Sequence, residues 1–158
     1  MVAERILESV TGERLVIQEN TPDVLRFERH LPPKQRPVPK VAHPTQAARM
    51  KVLEGRLHAT VGGTTRDYGA GESLTVPAGT FHSAQNVEVQ PARVLVEFSP
   101  ADGILAFFEE MMGLTSMGLL AVVRVVKRHR DAVRLPAPYA HRVGLVGFSY
   151  GDAAAPTD

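Results

Sequence analysis

Along the first hundred residues, apolar positions alternate with polar ones or gather in brief runs, and each run is broken by turn-forming residues. A period of two is the spacing of a strand with one buried face, so this pattern predicts many short strands rather than helices. The candidate strands cover residues 15–17, 24–29, 50–53, 57–61, 73–76 and 93–98. Between them stand Pro32-Pro33, Pro37 to Pro39, Gly62-Gly63, Gly69 to Gly71 and Pro77 to Gly79. These read as turns because glycine tolerates positive φ and proline presets its own. Regularly spaced short strands predict an antiparallel sandwich or barrel. The proline-rich residues 32–47 lack the N–H donors of a central strand and are expected to form an extended edge or loop.

After Pro100 the period lengthens. Ile104, Leu105, Phe107, Phe108, Met111 and Met112 fall at helical spacing, with Gly113 as a stop. Ser116 can cap a second helix running to residue 133. Its first half is apolar, and its second half carries Arg124, Lys127, Arg128, His129 and Arg130, where cations suit the helix dipole. A short element over residues 141–149 reads equally as helix or strand, and the tail 151–158 is expected to fray. The expected division is a β-domain over residues 1–101 and a helical extension over 102–158 packed on it.

Composition narrows the chemistry. The 158 residues suit one domain, and 44% hydrophobic with 22% charged residues is a globular balance. The absence of cysteine excludes a disulfide framework, a thiolate metal site and a cysteine nucleophile, and it suits a reducing compartment. A net charge of +1 supplies no global field for nucleic acid or an anionic membrane. The opening MVAERILESV is not a basic segment followed by an apolar run, and the longest apolar stretch, MGLLAVV, falls far short of the roughly 20 residues that span a bilayer. The expectation is a cytoplasmic protein without nucleic-acid or membrane partners.

Residues 71–86, GESLTVPAGTFHSAQN, place Gly71, Pro77, Gly79, His82 and Asn86 at fixed intervals. Gly71 and Pro77 to Gly79 turn the chain at both ends of a strand, His82 opens the next strand facing inward, and Asn86 can bond backbone at the following turn. This spacing resembles the second signature of the cupin superfamily, and strand and turn order over residues 11–101 is similar to that family. The resemblance implies a mainly β fold, a double-stranded β-helix (cupin or jelly-roll barrel) with a ligand cavity in its mouth, here followed by C-terminal α-helices. It also implies a homodimer, with residues 1–30 as a candidate exchanged segment.

The family's first signature is only partly present. Gly55 closes it and His43 falls at its second histidine, whereas Gln35, Val41 and Ala48 stand where a glycine, a histidine and a glutamate belong. In metal-holding members the two histidines, the glutamate and the second-signature histidine are the ligands, so this chain keeps His43 and His82. Two imidazoles fall short of the three protein ligands usual at a catalytic metal. No cofactor is therefore expected. The alternative is a divalent transition metal (Fe, Mn, Ni or Zn) held by His43, His82 and Gln46.

Alternation from the inward position the resemblance gives Ala48 directs Met50 and Val52 inward, and Arg49 and Lys51 outward. On the last strand the inward residues are either Glu97 with Leu95 or Val96 with Phe98, and periodicity does not choose. The expected ligand-binding residues are Val41, His43, Gln46, Ala48, Met50, Val52, His82 and Glu97, a wall with few charges that suits a small, largely apolar organic molecule. His82 and His43 are the candidates for acid–base catalysis. Alternatives to simple binding are a metal-free isomerase or cyclase working through a pocket histidine, a metal-dependent dioxygenase or isomerase with an atypical ligand set, and a dimerisation scaffold without ligand. Phe107, Phe108, Met111 and Met112 read as helix-to-barrel packing, or else as the cover that completes the cavity. His30, His58, His129 and His141 lack ligand-like spacing. No serine-histidine-acid arrangement or phosphate-cradling glycine loop is present.

Overall fold

The computed structural model describes residues 4–136; the element expected at 141–149 and the tail lie outside the described residues. Nine strands and two helices occur among them: β1 (Arg5–Glu8), β2 (Arg14–Asn20), β3 (Leu25–Leu31), β4 (Ala47–Glu54), β5 (Arg56–Val61), β6 (Thr64–Gly69), β7 (Ser73–Val76), β8 (His82–Gln85), β9 (Ala92–Ser99), α1 (Ile104–Met112) and α2 (Leu119–Arg128). They form an antiparallel six-stranded sheet in the order β1-β2-β3-β9-β4-β7 and a three-stranded sheet in the order β6-β5-β8. Residues 5–31 thus pair within their own chain, β1 on β2, β2 on β3 and β3 on β9.

Alternation explains which face is buried. Ala48, Met50 and Val52 of β4, with Ala92, Val94, Val96 and Phe98 of β9, form one apolar face, and Leu57, Ala59 and Ala84 of the smaller sheet belong to the same core. Arg49 and Lys51 face outward, as expected. The outer face of the larger sheet is instead a charge ladder, in which Arg93 bonds Glu28 and Glu54, and Arg26 bonds Glu19 and Glu97. That ladder settles the phase of the last strand: Val96 and Phe98 point in and Glu97 points out.

Gly55 links β4 to β5 at φ +77°, and a Cβ there would lie 2.6 Å from the Pro91 carbonyl oxygen, so both conformation and space require glycine. Residues 32–40 form no strand; they turn at Pro33-Lys34 and then run on as a strap. Asn86, fully buried, fastens it. Its side-chain amide donates to the carbonyls of Pro32 and Gln90, its Oδ1 accepts from the Glu88 N–H, and its own N–H donates to Gln35 Oε1.

The helices are part of the same body. Ile104, Leu105, Phe107 and Met112 of α1, and Val123, Val125 and Val126 of α2, belong to the core that includes the barrel strands. Beyond α2, Val133 and Leu135 are wholly buried, and Arg134 exchanges two backbone hydrogen bonds with Ala42. The second helix begins later than its sequence suggests. Gly118 is its N-cap, and the Ser116 hydroxyl accepts from the Gly118 N–H without reaching into the helix.

Candidate functional site

A cavity of about 830 Å³ lies in the barrel, between the strap and the helices. Leu15, Phe27, Met50, Val96 and Phe98 supply its barrel wall, while Phe107, Phe108, Met111 and Met112 of α1 and Val122 and Val126 of α2 close it from the other side. The aromatic and methionine cluster of α1 therefore packs on the barrel and covers the cavity at once.

His43 and His82 meet in this cavity with ring centroids 5.2 Å apart, although 39 positions separate them in sequence. His43 lies at the end of the strap beside the Val41–His82 bridge, and His82 opens β8. Each ring faces a backbone carbonyl through Nδ1: His43 the Ala132 oxygen at 2.9 Å, His82 the Thr80 oxygen at 3.2 Å. A carbonyl oxygen can only accept, so in the neutral ring the proton resides on Nδ1 and Nε2 is left as an acceptor. Both rings are held neutral. Burial, with the neighbouring His82 ring adding to it, pushes His43 down to about 4 from 6.5. Burial lowers His82 as well; the Thr80 carbonyl opposes that shift and the Arg29 guanidinium adds to it.

Of the residues expected at the site from sequence, Val41, His43, Met50 and His82 line the cavity. Ala48 and Val52 point inward but lie in the packed core, off the cavity wall. Gln46 is likewise buried off the wall, its side-chain amide without a hydrogen-bond partner. Glu97 is a correction of a different kind, since its ion pair with Arg26 holds it on the outer face of the sheet.

Arg29 is a cavity residue that the sequence reading did not single out. In β3 the inward positions are Leu25, Phe27, Arg29 and Leu31, so a guanidinium takes an apolar slot. Its Nε donates to Glu13 at 2.7 Å and its Nη1 to the Ala84 carbonyl at 3.4 Å, while Gln35 donates to the other Glu13 oxygen at 3.2 Å. The arginine thus stands in a network that reaches through Gln35 to Asn86. A charge in phase with Leu25, Phe27 and Leu31 was the available signal.

Among the described residues no three His, Cys, Asp or Glu side chains gather, and the cavity brings together two imidazoles, one short of the three protein ligands usual at a catalytic metal. No described helix is long and apolar enough to cross a membrane.

The profile of the cupin domain family matches residues 27–98, and the two-sheet barrel built around that segment has the cupin fold. No curated protein matches the sequence. Among solved structures, an RmlC-like cupin from Shewanella frigidimarina is similar at 21% identity and a TM-score of 0.52, over 62% of this chain and 85% of its own. A protein from Silicibacter pomeroyi, described as a sugar phosphate isomerase of the cupin superfamily, matches at 19% identity and a TM-score of 0.55, over 61% and 71%. A mutant of the oxalate decarboxylase of Bacillus subtilis matches at 19% identity and a TM-score of 0.50, over 61% of this chain and 28% of its own. At these identities the likeness is one of fold.

Proposed function

We propose that this cupin binds a small, largely apolar organic molecule in the barrel cavity, without a tightly bound metal, where the paired histidines offer acceptors to any N–H or O–H that the molecule carries. The observation that carries this reading is the meeting of two neutral imidazoles, each with Nε2 left as an acceptor, in a chamber whose barrel and helix walls are largely apolar. Most of the binding free energy comes from apolar burial, at about 25 cal/mol per Å² removed from water, and the imidazoles fix orientation. A ring held near pH 4 is a weak base at neutral pH, which favours accepting a hydrogen bond over taking a proton.

Two measurements test this. Nile red, a neutral hydrophobic dye, should bind the purified protein; Met50→Glu should abolish binding, and Lys51→Glu, one residue along and outward, should leave it intact. Equal losses in both variants would show that the cavity does not hold the dye. Elemental analysis should find well under one equivalent of any transition metal. A stoichiometric metal that survives dialysis against chelator and disappears in His82→Ala would overturn the metal-free part of the reading.

A further inference from the structure

We infer that the ligand is an organic acid, with an apolar body lying against the α1 side of the cavity and a carboxylate bound at Arg29. This deepens the proposed function and rests on it. Among the described residues, the charged ones lining the cavity are Arg29, Lys34, Arg36 and Glu13, three cations against one carboxylate. The two imidazoles do not alter that balance, being neutral. Arg29 is paired with Glu13, so the surplus positive charge is that of Lys34 and Arg36 on the strap, and it draws a negative head group to that end of the cavity.

The location of the cations gives the ligand a direction. Arg29 lies on the inward face of β3, its side chain 18% exposed, whereas Lys34 and Arg36 sit on the exposed strap. Phe107, Phe108 and Met111 hold the helical side of the same cavity and carry no charge. An amphipathic molecule would place its head toward the strap and its body under the helices. Arg29 is also held in place. Glu13 and the Ala84 carbonyl take two of the five N–H donors that a guanidinium carries, and the network through Gln35 to Asn86 fixes the acceptor that orients it. A guanidinium oriented in this way offers its remaining donors to a carboxylate at little further cost in side-chain freedom.

Three probes of one chain length separate body from head: decanoate, decan-1-ol and decylammonium, each titrated into the full-length protein by calorimetry. Decanoate should bind about tenfold or more tighter than decanol, as a charge-assisted hydrogen bond implies, and decylammonium should bind weakest. Arg29→Gln should reduce the decanoate preference to a small factor while leaving decanol affinity almost unchanged. If that variant does not fold, the wild-type order still decides, and Lys34→Gln with Arg36→Gln on the exposed strap should narrow the gap part-way. Decanol binding as tightly as decanoate, or a preference that survives in Arg29→Gln, would overturn the acid while leaving the apolar reading standing. Failure of all three probes to bind would remove the proposed function itself, and this inference with it.

Discussion

At the scale of single residues, the histidine pair has a consequence for stability that can be measured without knowing the ligand. In the folded chain His43 titrates at about 4, below its ordinary 6.5, so between those values the unfolded chain takes up a proton that the folded chain refuses. Stability from this group is complete above about pH 6.5 and is lost as the pH falls toward 4, by at most about 3.4 kcal/mol at 1.36 kcal/mol per unit. Urea unfolding at pH 7 and at pH 4.5 should show the wild type losing about 2 kcal/mol more than His43→Gln, with carboxylate titration common to both. Equal losses in the two proteins would mean that His43 is not held neutral by burial. His82 was legible in sequence from the spacing of Gly71, Pro77, Gly79 and Asn86 around it, and His43 only through the resemblance of a partly kept first signature. The direction of Glu97 was not, since alternation gives two phases and says nothing of which is inward; the outer ladder, with Arg26 bonded to Glu97, selects one. Arg29 was missed because a charge at the end of a strand reads as solvent-facing, until its neighbours Phe27 and Leu31 show that it shares their face.

At the scale of elements, strands with a buried face announced themselves and strands without one did not. The strands β3, β5, β7 and β9 were legible from their alternation, whereas β6, TTRDYG, has no fully buried residue and is held by its pairing with β5. No apolar period could have shown it. The strap is a case of the opposite kind: proline excluded it from the sheet, as expected, and the Lys34 and Gln35 N–H groups, donating to the Glu88 and Asn86 carbonyls, set where it runs together with side-chain hydrogen bonds. Asn86 bonds both flanks of the strap's anchor, so Asn86→Ala would leave the Pro32 and Gln90 carbonyls and the Glu88 N–H without their partners. Each unsatisfied group costs about 1–3 kcal/mol, and solvent entering beside the loosened strap recovers part of that, so a loss of about 2–4 kcal/mol is expected by denaturant unfolding. A loss below about 0.5 kcal/mol, the range of an ordinary surface substitution, would show that Asn86 does not hold the strap.

At the scale of the whole molecule, barrel and helices act as one unit, and this was legible only as an obligation: the apolar face of residues 104–112 had to be buried against something, but the partner was not written in its period. The structure supplies it. Phe108 stacks edge-on against Phe27 with centroids 5.1 Å apart, and Glu110 of α1 pairs with Arg128 and His129 at the end of α2. The chain then returns to the barrel, where Ala132 receives the His43 Nδ1–H and Arg134 pairs with Ala42. Removing residues 102–158 would therefore uncover Phe27, Phe98 and the cavity, and would strip His43 of its acceptor. Ile104, Leu105, Phe107, Val125, Val126 and Leu135 are each buried, and burial of such a side chain contributes about 1.5–3 kcal/mol. Together they rival the roughly 5–15 kcal/mol that stabilises a typical domain. The truncated chain should aggregate on expression or, if soluble, melt far below the full-length protein and fail to bind Nile red. A truncated form that melts within a few degrees of the full chain and still binds the dye would show that the helices neither stabilise the barrel nor close its cavity.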